Sequence, residues 1–347
     1  MRPLSAFVLG LASLLTTACG GKSSQDATLQ PTGYTVIEPI SMENADVAID
    51  ATAVYWLDWE KSAVFRRGFA KDDVAVRLAS DIMPQALTMD AENVYWAAYV
   101  DQTLGSIRLM SSSKDGQQIS TLVAGGLDSY IWPGKPIAAG GGYVYWQKTS
   151  EPRSVQRVAS TGGSIEEFVG PSGGATITDP EMKYASSTQP LFAEGKVFAF
   201  LNSAIQVYDV STLTITTALS SAMNVLDSCF TNDTLVVVGQ PNNDQQQTGV
   251  WAIRAGTAQL VSLGDTSTRV ACGTSVAYFA KLDLGGGAAP VGPLQIYEID
   301  SASLQPRLLL KLADTERSFS SHLAYGGNAL AFFSSSGLIR VPLDAGN

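Results

Sequence analysis

Histidine is almost missing from this chain: His322 is the only one among 347 residues. A metal centre or a Ser–His–Asp site built around it would need converging ligands or a nucleophile motif such as G-x-S-x-G. Neither occurs in recognisable form. Ser320-Ser321-His322-Leu323 stands where an inner strand is expected to begin, so His322 reads as a hydrogen-bonded structural residue. Charge is scarce as well: 16% of residues are charged, 22 basic against 32 acidic, for a net −10. That balance repels nucleic acid and anionic lipid, and no basic patch overrides it. The Gly-rich runs Gly140-Gly141-Gly142 and Gly285-Gly286-Gly287 neither open a helix nor carry a following Lys-Ser/Thr. They are turns, not phosphate loops. Long amphipathic helical patterns are absent, while Gly, Ser, Thr and Ala are abundant, which is an all-β composition.

What is present is repetition. A short apolar strand, a tight turn and a β-branched/aromatic triplet recur seven times. The first copies read Ala48-Ile49-Asp50-Ala51-Thr52-Ala53-Val54-Tyr55-Trp56, then Thr88-Met89-Asp90-Ala91-Glu92-Asn93-Val94-Tyr95-Trp96, then Ala138-Ala139-Gly140-Gly141-Gly142-Tyr143-Val144-Tyr145-Trp146. Degenerate triplets begin at Val197, Leu235, Val276 and Leu330, so successive intervals are 40, 50, 53, 38, 41 and 54 residues. A strand-built period of this length marks a β-propeller. The expected fold is therefore all-β, a seven-bladed β-propeller of four-stranded antiparallel blades, with six or eight blades as alternatives. The seventh repeat lacks a fourth strand, and Tyr34-Thr35-Val36-Ile37-Glu38-Pro39-Ile40 precedes the first inner strand at fourth-strand spacing. The N-terminal strand is thus expected to complete the last blade and leave no open seam. Trp56, Trp96 and Trp146 share one repeat phase and read as packing between blades.

The N-terminus carries the longest apolar run, Leu4 to Ala18, preceded by the single charge Arg2. Fifteen residues are too few to span a bilayer and fit a secretory signal. The run ends in Leu15-Thr16-Thr17-Ala18-Cys19-Gly20, which resembles the lipobox of bacterial lipoproteins. The resemblance implies cleavage between Ala18 and Cys19, a lipid on Cys19, and a membrane partner reached through that lipid. Gly20 in place of Asp favours the outer membrane of a Gram-negative bacterium by the same resemblance. Residues 20–33 have no apolar periodicity and read as a tether, about 20 Å as a random coil and about 45 Å fully stretched. The expected organisation is a signal peptide at 1–18, a lipidated tether at 19–33 and a propeller at 34–347. The Asp-x-x-x-Val-Tyr-Trp pattern, with Asp50 and Asp90 as its acidic members, resembles the repeats of YWTD, NHL and TolB-type propellers and of repeat-containing Gram-negative lipoproteins.

Cys229 and Cys272 remain in the exported domain, where disulfides are permitted. Counted from the triplets they lie six and four residues before and point the same way. Counted from the turns at Thr231 and Gly273 they lie two and one residues away and point oppositely. A disulfide and two buried thiols both stay open. Long segments at 124–136, 170–190, 239–249 and 281–293 all join second to third strands or blade to blade, so they share one face of the ring. Such one-sided elaboration is expected of a scaffold carrying a binding surface. Trp59, Tyr99, Tyr130, Trp132 and Tyr184 lie in the second-to-third-strand or blade-to-blade connections of that face and are the candidate contacts for an envelope protein or glycan. Two alternatives are a lactonase- or lyase-type propeller enzyme with a divalent metal in its central opening, and a structural scaffold of an envelope complex. No catalytic residue, metal set or cofactor is assigned.

Overall fold

The computed structural model describes residues 34–38, 46–70, 72–101, 106–127, 137–148, 154–169, 190–201, 204–221, 223–241, 247–264, 268–282, 293–312 and 323–343. They form seven four-stranded antiparallel sheets, each a blade of a β-propeller. Blade 1 consists of Val47–Ile49, Ala53–Asp58, Ala63–Gly68 and Val76–Ser80, from the inside outward. Aromatic and β-branched residues fill the second strand, which is buried on both faces between neighbouring blades. Blade 7 takes Ala324–Gly326, Ala329–Ser334 and Gly337–Pro342 from the C-terminal end and Thr35–Glu38 from the N-terminal end. Thr35 pairs with Arg340 and Val36 with Ile339, so the ring closes as the strand count requires. The adjoining seam is keyed by an Arg67–Glu38 ion pair at 3.5 Å, an Arg67 hydrogen bond to the Ile37 carbonyl, and the Arg340 guanidinium 4.2 Å from the Phe69 ring centre.

All seven inner hairpins have one register. Ile49 pairs with Val54, Met89 with Val94, Ala139 with Val144, Phe192 with Val197, Phe230 with Leu235, Cys272 with Ala277 and Tyr325 with Leu330. The second residue of each pair defines position 0 of its repeat. In repeat six this is Ala277, one residue beyond the Val276 anchor that hydrophobic pattern alone suggests. The correction follows from the turn, whose length is constant while the apolar run starts one residue early.

The blades meet face to face, and this sets a parity rule. Blade 1 offers Ala48, Tyr55 and Leu57, at positions −6, +1 and +3, to Leu87, Val94 and Trp96 of blade 2, at −7, 0 and +2. Blade 5 does the same with Cys229, Val236 and Val238 against Val270, Ala277 and Phe279 of blade 6. Because side chains alternate across a sheet, contacts over a seam between equivalent strands of adjacent blades join an even position to an odd one. Trp56, Trp96 and Trp146, all at +2, are at most 2% exposed and pack in the seams. Trp96 Nε1 donates to Asp81 Oδ2 at 2.8 Å and Trp146 Nε1 to Gln156 Oε1 at 3.1 Å, so two of the three indoles satisfy their buried N–H within the protein.

Candidate functional site: two unlike faces and a narrow channel

The two ends of the ring are built differently. On one end lie the turns between first and second strands and between third and fourth strands. Asp50 organises the first of these: its Oδ1 accepts from the Thr52 and Ala53 N–H groups at 2.7 and 2.9 Å, and its Oδ2 from Tyr55 at 3.3 Å. Asp90 repeats the device, with Tyr95 donating to its Oδ2 at 2.7 Å. This explains the Asp-x-x-x-Val-Tyr spacing: the carboxylate caps the turn and also receives the phenol. Burial works against ionisation of Asp50, but the Lys114 ammonium at 2.9 Å and the turn donors outweigh it, holding the carboxyl well below the usual range. Asp209 caps its turn through the Ser211 and Thr212 N–H groups and is lowered to about 2, chiefly by the Ser211 hydroxyl. Burial and the neighbouring Asp90 push the Tyr95 phenol up, so it stays a neutral donor.

The other end carries the second-to-third-strand and blade-to-blade connections. The strands flanking 124–136, 170–190, 239–249 and 281–293 all end there. Trp59 follows the second strand of blade 1; it is half-buried, and its indole N–H has no partner among the described residues. Tyr99 closes the second strand of blade 2, paired with Ile107 and packed against that blade's core. Both are partly sunk into the blades and serve at least in part as loop anchors. Tyr130, Trp132, Tyr184, His322, Ala18 and Cys19 lie outside the described residues. Asp81 is a polar anchor of this end that pattern reading missed. Its buried carboxylate accepts from the Ile82 N–H and the Trp96 indole and pairs with the Arg108 guanidinium, tying the entry of blade 2 to its second and third strands. No sequence signal marks it, since its donors come from 15 and 27 residues away.

Down the axis runs a cavity of about 270 Å³. Its wall is drawn from the inner strand of every blade, with Ala48, Thr88, Ala138, Leu191, Cys229, Ala271 and Ala324 all at position −6. The described lining is largely aliphatic, with hydroxyls from Thr88, Ser228 and Tyr325 and no carboxylate or imidazole among its described residues. Among the described residues, no group of three or more His, Cys, Asp or Glu side chains is placed to hold a metal ion.

Cys229 and Cys272 are joined in a disulfide across the seam of blades 5 and 6, with Cα atoms 5.5 Å apart. They stand at −6 and −5, odd against even, which the seam geometry demands and pointing "the same way" would forbid. The same seam holds a buried carboxylate. Asp227 Oδ1 accepts from its neighbour Ser228 N–H at 2.9 Å and Oδ2 from Val270 N–H of the next blade at 3.0 Å. Asp46, at the equivalent −8 position of blade 1, binds Val47 N–H at 2.9 Å and Leu87 N–H of blade 2 at 2.8 Å. Each staples one inner strand to the next.

No family model matches this chain, and no curated protein matches its sequence. Solved structures do match its shape. A streptogramin B lyase superposes with a TM-score of 0.58 at 11% identity, over 89% of this chain and 96% of the other. The WD40 β-propeller domain of Doa1 gives 0.52 at 11% identity, again over 89% and 96%. A Mycobacterium tuberculosis puromycin-hydrolyzing peptidase gives 0.54 at 15% identity, covering 92% of this chain and 55% of that one. At such identities the likeness is one of fold: this chain is similar in architecture to β-propellers.

Proposed function

We propose that the chain is a lipid-anchored lipoprotein of the cell envelope, most consistent with a Gram-negative outer membrane, whose propeller is a scaffold binding a protein or glycan. The observation that carries the reading is the inequality of the two faces. One end is closed by short turns whose carboxylates are consumed by their own backbone N–H groups. The other receives the longest connections, 170–190 and 281–293 among them, and loops on a rigid scaffold are where recognition is placed. The described residues of the channel wall are largely aliphatic and bring no carboxylate to the oxygen-ligand set that a hard divalent ion takes, which favours the binding reading. Two measurements test it. Cys19→Ser should release a folded domain from the membrane fraction, and retention of that variant on membranes would remove the anchor. A photo-cross-linking residue replacing Glu60, exposed beside Trp59, should trap a protein or glycan in whole cells, whereas one replacing Glu92 on the tight-turn end should not. Trp132→Ala and Tyr184→Ala should each weaken that capture by about 1–2 kcal/mol, and equal trapping from both ends would overturn the binding face.

A further inference from the structure

The direction of one strand and the placement of exposed apolar residues together orient the molecule. In blade 7 the Thr35–Glu38 strand is antiparallel to Gly337–Pro342, which itself runs from the elaborated end toward the tight turns. The N-terminal strand therefore runs the opposite way, and the chain reaches Tyr34 at the outer rim of the tight-turn end. The tether between Cys19 and Tyr34 joins the domain at that rim and not at the elaborated face.

A second observation falls on the same rim. Among the described residues nine large apolar side chains are exposed, and seven of them are Val36, Val74, Val76, Ile119, Ile165, Leu213 and Ile215. Each lies at or just before the start of an outermost strand, which is its tight-turn end. They occupy blades 7, 1, 2, 3 and 4, five consecutive blades that begin with the one carrying the N-terminal strand. The other two, Leu260 and Leu263, lie in the middle and at the far end of the blade 5 strand. Scattered exposed apolar residues need no explanation, but an arc confined to one rim, on one side of the ring, does. Val74 and Leu213 are 71% and 70% exposed, so nothing in the domain covers them.

We infer that this apolar rim is the membrane-proximal surface, resting on a bilayer of uncharged or zwitterionic headgroups, and that the elaborated face points away from the lipid. The inference rests on the lipid-anchored reading and adds its orientation. A tether of fourteen residues, about 20 Å in r.m.s. length, keeps the rim beside the bilayer often enough for weak apolar contacts to count, as a second signal supporting a lipid chain does. The lipid class follows from charge. The rim shares its end with the turn-capping carboxylates of Asp50, Asp90, Asp209 and Asp300, of which Asp50 is paired with Lys114, so acidic groups prevail among these turns and an anionic surface would be repelled.

The test uses the full-length lipidated protein reconstituted in phosphatidylcholine vesicles that carry an acceptor dye on the headgroup. The disulfide leaves no free thiol at Cys229 or Cys272, so a donor dye can be placed through Glu92→Cys or Glu60→Cys. The two positions lie at opposite ends of six- to seven-residue strands, about 20 Å apart in height. Energy transfer from position 92 should exceed that from position 60 severalfold. Replacing the rim residues by Ile119→Ser and Ile215→Ser, both exposed, should leave flotation with the vesicles intact and shrink the difference. Flotation with equal or inverted transfer overturns the orientation alone, and a difference unmoved by the serine pair overturns the role of the rim. A chain that does not float at all overturns the anchored reading and the orientation with it.

Discussion

The seam between blades 2 and 3 and the seam between blades 3 and 4 each receive the tyrosine of a Val-Tyr-Trp triplet, yet they accommodate it in different ways. In blade 2 the Tyr95 hydroxyl donates to Asp90, and the facing residue of blade 3 at −5 is Ala139. In blade 3 the position of the aspartate is Gly140, the Tyr145 hydroxyl has no hydrogen-bond partner among the described residues, and its ring stacks on Phe192 of blade 4 at 5.7 Å. A Cβ on Gly140 would run into the Phe192 ring. The seam of blades 6 and 7 follows the second pattern, with Gly273 and Tyr278 stacked on Tyr325 at 5.5 Å. At the same place between blades 5 and 6 stands the Cys229–Cys272 disulfide. One location thus accepts a carboxylate–phenol hydrogen bond, an aromatic stack or a covalent bond. The motif can decay along the chain without loss of fold, because what the seam requires is filled volume.

This comparison can be broken at several strengths. Trp96→Ala removes a fully buried ring from the seam of blades 1 and 2 and takes one donor from the buried Asp81 carboxylate, so it should cost about 3–5 kcal/mol by chemical denaturation. A loss under one kcal/mol would mean that the seams are not the core. Cys229→Ala with Cys272→Ala opens a loop of 43 residues and should lower stability by about 4 kcal/mol on the chain-entropy account. The pair should matter little under reducing conditions, which gives the control.

Gly140→Asp restores the blade 2 motif in blade 3. Alone it should destabilise by about 1–3 kcal/mol, since the Phe192 ring already occupies the space. Combined with Phe192→Ala it should cost less than the two single changes added together, because the carboxylate then has room to meet Tyr145. Strict additivity in that cycle would sink the idea that the two solutions compete for one place. Tyr95→Phe should lose about 1 kcal/mol and Tyr145→Phe close to nothing, since only the first removes a hydrogen bond. Equal losses in thermal melts would show that the phenol–carboxylate contact carries no weight.

The smallest effect concerns pH. The folded-state pKa of Asp50 is depressed, so its contribution is complete above the unfolded value near 3.9 and is lost as pH falls toward the folded value. Asp50→Asn should therefore flatten the acid limb of stability against pH below about pH 4, with little change in its slope at neutral pH. An unchanged acid limb would remove Asp50 from the account.

Much of this architecture was readable beforehand, for local reasons. Strand alternation, turn residues and the repeat spacing depend on a few neighbouring residues, so seven blades and their strand composition follow from the chain. Closure by residues 34–40 followed from a missing strand at one end and a spare one at the other. The face bearing the long connections was also legible, because antiparallel topology sends alternate connections to opposite ends. The candidate aromatics were legible only as types: Trp59 and Tyr99 turn out half-sunk in the blades, which no loop composition discloses.

The amino-acid sequence by itself determined the propeller with seven as its expected blade number, the closing strand and the one-sided elaboration, each set by local periodicity or by counting. Only the tertiary structure decided that Cys229 bonds to Cys272, that Asp46 and Asp227 reach the next blade's backbone, and that Gly140 makes room for Phe192. Those pairs lie 41 to 52 residues apart and belong to different sheets. Alternation within one strand says which way a side chain points in its own sheet. It does not say which residue of the next sheet it meets, because that is fixed by how the blades stack around the axis.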